Sequence, residues 1–164
     1  MIQLLMPFQL FTEDQCKDLI QRALATKLTV GKTYNRNPQV RTNWVTWIEL
    51  DESEYDLLWE LVQPWWHELD WFQKPVQISC YKPEEYYDWH EDFLESPRSS
   101  YRQLTLTCTL QTAPDAIFET REHKFDLQPG YAVIFPAKLD HRACAPTVGE
   151  RWSFTVWYMK RKHN

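Results

Sequence analysis

The chain has 164 residues, 43% of them hydrophobic and 15% aromatic, with a formal net charge of −5 at neutral pH. That length supports one domain with a core of its own, and that composition excludes a disordered polymer. With no extended basic stripe, the negative balance also argues against a nucleic-acid partner, whose binding rests on paired phosphates.

The first ten residues show no basic leader and no cleavage signal, and no apolar run in the chain is long enough to span a bilayer, so no membrane partner is expected. Cys16, Cys80, Cys108 and Cys144 are widely spaced, with no Cys-x-x-Cys pair. They read as free buried thiols in a reducing compartment, and the expected location is cytoplasmic. Thr12-Glu13-Asp14-Gln15 spells a capping box, with Phe11 placed to staple the first turn. The helix it opens carries Cys16, Leu19, Ile20, Ala23 and Leu24 on one face, which should cover a sheet. Residues 39–50 alternate as a strand. A second helix is predicted over residues 54–69, with Leu58, Leu61, Val62, Trp65 and Leu69 on one side and a kink at Pro64. Residues 76–81 read as another strand.

Two later strands bear on a pocket. In residues 103–111, Thr105, Thr107 and Thr109 share one face and Leu104, Leu106, Cys108 and Leu110 the other. In residues 151–158, Arg151, Ser153, Thr155 and Trp157 oppose Trp152, Phe154, Val156 and Tyr158. A sheet with a solvated outer face gives the same alternation. An arginine among hydroxyls favours a cradle for a carboxylate instead. Between these strands, Pro129-Gly130 marks a turn, and residues 131–135 form a buried strand that delivers His141 after a short loop. Lys160-Arg161-Lys162 reads as a solvated terminus. Helices ahead of strands, without repeats or linkers, indicate an α+β domain.

His90 and Asp92 carry the chemistry. Two residues apart on an extended strand, an imidazole and a carboxylate reach the same side and can share one metal ion. With five histidines in the chain, such a pair arises by chance roughly a quarter of the time, so it needs support from elsewhere. His141 supplies a third ligand, and two His with one carboxylate on one face of Fe(II) leave open positions for a bidentate 2-oxo acid and O2. Arg151, ten residues beyond His141, offers the permanently charged planar fork that the far carboxylate of a dicarboxylate needs. A zinc hydrolase could use the same three ligands but has no use for that arginine. His67, His123 and His163 lie on a helix pattern, among charges and in the tail, and read as incidental.

Three stretches then resemble the Fe(II)- and 2-oxoglutarate-dependent dioxygenases, in particular the prolyl 4-hydroxylase-like branch. They are Tyr81-x5-Tyr87-x2-His90-x-Asp92, then Arg102-Gln103-Leu104-Thr105-Leu106-Thr107, then Pro129-Gly130-Tyr131-Ala132-Val133-Ile134-Phe135-Pro136 followed by His141 and Gly149-Glu150-Arg151-Trp152-Ser153. The stretch Arg41-Thr42-Asn43-Trp44-Val45-Thr46-Trp47-Ile48 is similar to the front of related hydroxylases. The resemblance covers residues 77–158 and implies a double-stranded β-helix (jelly roll) core over 76–160, supported by 1–75, in one domain spanning 1–164. It implies Fe(II) on His90, Asp92 and His141, and 2-oxoglutarate held by Arg151 with Tyr81, Thr109, Ser153 and Thr155. Tyr87, Arg102 and Trp157 would face the substrate, although Tyr81 and Tyr87 equally fit simple core packing and Arg102 could instead pair with Glu95; Trp89 and Trp157 are candidate cavity walls. Two departures stand out: Glu84 occupies a position that is often Gly in the family, and Ala116-Ile117-Phe118-Glu119-Thr120 replaces a Gly-Gly pair, so the turns there should differ.

The activity implied is hydroxylation of a C–H bond coupled to oxidation of 2-oxoglutarate to succinate and CO2. Asp92 favours hydroxylation, because related halogenases replace that carboxylate with a small residue. A prolyl residue in a protein or peptide is the leading substrate. A small molecule such as a free amino acid is the alternative, and a metal-binding jelly roll without catalysis is a third reading. Nucleic-acid demethylation fits poorly, since the charge is wrong and no second suitably spaced arginine is evident. Loops at 94–100 and 114–124 are where substrate choice would lie.

Overall fold

In a computed structural model, residues 2–31, 40–93 and 101–160 are described. They form twelve strands, two helices and one 3-10 turn. In chain order these are β1 (Phe8–Gln9), α1 (Glu13–Leu24), β2 (Thr29–Val30), β3 (Trp44–Ile48), α2 (Glu52–Glu60), the 3-10 turn (Gln63–Glu68), β4 (Trp71–Phe72), β5 (Val76–Tyr81) and β6 (Tyr87–His90). There follow β7 (Arg102–Gln111), β8 (Phe118–Thr120), β9 (Lys124–Phe125), β10 (Tyr131–Pro136), β11 (His141–Ala143) and β12 (Arg151–Met159).

The strands make two antiparallel sheets. The larger runs β1-β10-β7-β12-β5-β3-β2, with β4 also paired to β12; the smaller runs β6-β11-β8-β9. Together they form the expected double-stranded β-helix in an α+β chain. The helices cover the outer face of the large sheet, where Leu19, Ala23, Leu58 and Val62 join Leu106, Cys108, Phe154 and Val156 in the main core. A second cluster fills the space between the sheets, with Phe118 and Phe125 from the small sheet meeting Val133 and Phe135 from the large one. The alternation read in β7 and β12 holds, yet the hydroxyl face is not solvated. Thr105, Thr107, Thr109 and Ser153 are all buried, because the small sheet closes over them.

Local chemistry explains the helices. The Thr12 hydroxyl accepts from the Gln15 amide at 3.2 Å while the Gln15 side chain accepts from the Thr12 amide at 2.8 Å, which satisfies two donors that a helix start leaves open. Phe11 packs edge-on against Phe154. Leu24, expected on the covered face, is 50% exposed, since it lies at the last turn of α1 beyond the sheet. The second helix departs from expectation: α2 begins earlier, capped by Asp51 and Glu54, and it stops at Glu60. Pro64 cannot donate to the carbonyl four residues back, so the backbone tightens to a 3-10 turn instead of kinking. The strand expected at 39–50 is β3 alone; residue 39 lies outside the described residues, as do residues 94–100, 161 and 162 and His163. His67 and His123 are exposed.

Gly130 in the β9–β10 turn has φ +88°, and a Cβ there would sit 2.0 Å from the Phe11 carbonyl oxygen. Glu84 takes φ +70°. That is the left-handed backbone that glycine adopts most readily, held here by a residue with a side chain. Asp115, just before the stretch that lacks the Gly-Gly pair, is also left-handed at φ +67°. No helix among the described residues is long and apolar enough to cross a membrane.

All four cysteines are free, and Cys16, Cys80 and Cys108 are buried. Burial first, and nearby glutamates second, push the Cys16 thiol up to about 11 and the Cys80 thiol up to about 12. A thiol that holds its proton more tightly when folded stabilises the fold below the unfolded value near ~8.5 and loses that contribution as pH rises through the folded values. The urea midpoint should thus fall between pH 9 and 12, and native alkylation at pH 8 should be slow relative to the denatured chain; fast labelling of Cys16 or Cys80 in the native protein would contradict this.

Candidate metal centre and its cavity

β6 and β11 lie side by side in the small sheet with His90 and His141 in register. Asp92 is not on the strand, as the spacing alone suggested. It sits in a bend just beyond β6, where its amide and that of Phe93 both donate to the Ala137 carbonyl at 2.9 Å. The bend still brings the carboxylate to the histidines: Asp92 Oδ1 is 3.5 Å from both His90 Nε2 and His141 Nε2. Two atoms bound to one ion at ~2.1 Å can be at most ~4.2 Å apart, so this spacing fits a shared metal. Each imidazole gives its Nδ1 proton to a backbone carbonyl, His90 to Asp88 at 2.6 Å and His141 to Leu139 at 2.8 Å, which leaves both Nε2 lone pairs free for an ion. Among the described residues this is the one cluster of metal-ligating side chains.

Electrostatics agree with the geometry. Burial pushes the Asp92 carboxyl up, but the two imidazoles outweigh it and hold the group well below the usual carboxylate range. His90 is pushed down by burial and by His141, whereas the pull of Asp92 on His141 outweighs burial and raises it. The second carboxylate oxygen is also fixed, since the Thr105 hydroxyl donates to Asp92 Oδ2 at 2.7 Å.

A narrow cavity of about 50 Å³ opens beside the triad. Arg151, Ser153, Thr155 and Trp157 on β12 line it, with Gln77, Ser79 and Tyr81 on β5, Thr105 and Thr107 on β7, and Tyr87 on β6. Arg151 is only 3% exposed. It pairs across the strands with Tyr81 and lies 5.5 Å from that ring, and it has no carboxylate partner among the described residues. Burial lowers its guanidinium pKa accordingly.

Not every expected residue reaches the cavity. Thr109 shares the face but is absent from the wall, near a register shift where β12 passes from Gln111 to Thr109. Arg102 is also outside the wall: its guanidinium covers the Trp157 ring at 3.8 Å and one nitrogen reaches the Asp92 carbonyl at 3.3 Å. Its other suggested partner, Glu95, lies outside the described residues. Trp89 is no wall either, because the guanidinium groups of Arg121 and Arg142 stack on it instead, at 3.7 and 4.8 Å. In return, Arg41, Phe118, Phe135 and Ala143 line the cavity without having been singled out. Arg41 and Phe135 had a sequence signal, in the stretches 41–48 and 129–136.

A model of the 2OG-Fe(II) oxygenase superfamily matches residues 76–159, just over half of the chain. The chain belongs to this superfamily. The oxygenase is thus a 2-oxoglutarate-dependent Fe(II) dioxygenase, and its family works with Fe(II), 2-oxoglutarate and O2. No individual curated protein matches it. Solved structures share its fold. The viral collagen prolyl hydroxylase vCPH of Paramecium Bursaria Chlorella virus-1, in complex with 2OG, is 19% identical with a TM-score of 0.77, over 95% of this chain and 96% of that one. A Pseudomonas putida prolyl-4-hydroxylase is 18% identical with a TM-score of 0.72, over 94% and 92%. A Trichoplax adhaerens prolyl hydroxylase, in complex with a hypoxia inducible factor peptide fragment, is 16% identical with a TM-score of 0.64, over 94% and 82%.

Removing the Thr105 hydroxyl should loosen the metal ligand it holds. In this oxygenase Thr105→Val is expected to weaken metal binding by about 10-fold, the lower end of what lost outer partners cost. Calorimetric titration with Mn(II) measures it; unchanged affinity would mean that the strand fixes Asp92 unaided.

Proposed function

We propose that the oxygenase hydroxylates a prolyl residue of a protein or peptide, with Fe(II) held by His90, Asp92 and His141 and 2-oxoglutarate anchored by Arg151. One observation carries the co-substrate assignment: a buried guanidinium with no carboxylate partner among the described residues lines the same cavity as the triad. Such a charge is costly to bury unless a ligand completes it. Iron bound at the triad supplies the centre at which 2-oxoglutarate and O2 react, yielding succinate and CO2. The protein's part is positional. Arg151 takes the distal carboxylate, Ser153, Thr155 and the Tyr81 hydroxyl offer hydrogen bonds along its chain, and Phe118 and Phe135 keep water from the metal side.

Support for a peptide comes from two donors beside the cavity. The indole nitrogen of Trp157 and Nε of Arg102 are buried donors with no acceptor among the described residues, and they lie together because the guanidinium stacks on the indole. Unmet buried donors cost about 1–3 kcal/mol each, and a peptide carbonyl satisfies them. Tyr87 stands at the same cavity. The neighbour bound to a hypoxia inducible factor peptide supports the same reading.

The test is succinate release by the Fe(II)-loaded protein with 2-oxoglutarate and O2, against proline-containing peptides and free amino acids. Peptide-stimulated succinate, matched by one oxygen gained on proline, supports the proposal. Turnover with free amino acids alone would replace it with the small-molecule reading.

A further inference from the structure

Residues 40–43 lie outside the segment matched to the family, yet they reach the metal centre. The Asp88 amide donates to the Val40 carbonyl at 2.7 Å, the Thr42 amide donates to the Tyr86 carbonyl at 3.0 Å, and Arg41 and Tyr87 form a bridge between them. Directly afterwards, β3 pairs with β5 in the large sheet. One run of chain is therefore stitched to both sheets.

The Arg41 side chain turns into the cavity. Its guanidinium lies over the Tyr87 ring, 4.5 Å from the centroid. The same phenol ring is stacked on the His90 imidazole, with centroids 3.4 Å apart and planes within 4°. With one face of the phenol filled by the imidazole, the guanidinium must occupy the other, so Arg41, Tyr87 and His90 form a three-layer stack.

Both ends of this stack are fixed. Arg41 Nε donates to Asn43 Oδ1 at 2.7 Å, with both residues buried. Gly31 makes the room, because a Cβ there would lie 2.4 Å from Arg41 Nε and 2.7 Å from Asn43 Oδ1. At the other end, the hydrogen bond to Asp88 fixes one edge of the His90 ring but leaves its plane free to turn about that bond. His141 has the Phe135 and Phe118 rings packed against it, at 4.7 and 5.6 Å. For His90, the stack performs that task. A ligand must be held within about 10–20° of its productive orientation to bind a metal well.

We propose that Arg41 is a positioning residue for the metal centre: acting through Tyr87, it sets the plane of the His90 imidazole, and Gly31 and Asn43 brace it. The proposal rests on the reading that His90, Asp92 and His141 hold the metal. It gives Tyr87 a role separate from substrate contact, one that needs its ring and not its hydroxyl.

The test is anaerobic titration of the full chain with Co(II), reading both affinity and the visible ligand-field spectrum. Tyr87→Phe keeps the ring and should bind within about 2-fold of the unaltered chain, with the same spectrum. Arg41→Met, Tyr87→Ala and Gly31→Ala should each weaken binding by about 10-fold and shift the spectrum, in the range known for lost outer partners. Circular dichroism selects the folded variants, and Arg41→Met, which keeps an apolar stem, decides the matter if Tyr87→Ala does not fold. Unaltered affinity and spectrum in Arg41→Met would overturn the brace. A His141→Ala control separates this from failure of the site itself: if Co(II) binding by the unaltered chain does not depend on His141, the metal reading falls and the brace with it.

Discussion

Arg151→Met should make the protein more stable and almost unable to bind 2-oxoglutarate. The guanidinium is 3% exposed, its pKa is lowered by burial, and no acid faces it among the described residues. The ligand-free fold therefore carries an uncompensated charge. Methionine fills the space of the stem without that charge, and replacing buried ionic groups by apolar ones of similar volume is often stabilising by roughly 1–4 kcal/mol. Binding moves the opposite way. Losing the partner of a buried carboxylate costs about 2–5 kcal/mol, or about 30-fold to several thousand-fold in affinity. Thermal unfolding measures both effects at once: the variant should melt higher than the unaltered chain without ligand, and excess 2-oxoglutarate with Mn(II) should raise only the unaltered chain. A variant that melts lower without ligand would show that the guanidinium is structural.

Asp92→Asn should abolish turnover and lower metal affinity by on the order of 10³-fold, because it removes the anionic ligand while keeping the shape. An amide oxygen can still accept from Thr105, so loss of packing does not explain the outcome. Its acid stability provides a second reading. Asp92 is held below the usual carboxylate range by His141 and His90 against the opposing effect of burial. A depressed carboxylate stabilises the fold above its unfolded value near ~3.9 and loses that contribution as pH falls through the folded value. The metal-free unaltered chain should therefore lose stability below about pH 4 more steeply than the asparagine variant. Equal slopes in urea melts across that range would mean that the triad is not coupled as the geometry indicates.

The parts of the site legible in sequence were those written in short spacings. His90 and Asp92 are two residues apart, and Arg151, Ser153, Thr155 and Trp157 follow the pleat of one strand, so local periodicity places them. His141 could be joined to them through the turn and strand before it. Arg41 illustrates the opposite case: its contact with Tyr87 joins a residue ahead of β3 to the distant β6 and leaves no periodic trace. The small sheet was equally hard to read, because β8, β9 and β11 are two or three residues long, too short for alternation to register. The second helix went astray for a different reason. Apolar residues continue at helical spacing past Pro64, and Val62 and Leu69, which flank the 3-10 turn, are buried as they would be beside a helix, so periodicity could not locate the break. Asp51-x-x-Glu54 was a readable capping signal, and it marks the true start of α2.

The position of β5 has a consequence for dissecting the molecule. All six of its residues, Val76-Gln77-Ile78-Ser79-Cys80-Tyr81, are buried, with β12 on one side and β3 on the other. They contain no charge, no proline and no glycine. Cutting the chain ahead of residue 76 to isolate the catalytic core would strip away β3 and turn β5 into a bare edge, the kind of uncharged strand on which chains stack into fibrils. With β3 in place that edge is covered, and the fragment from residue 76 onward should precipitate where the whole chain does not.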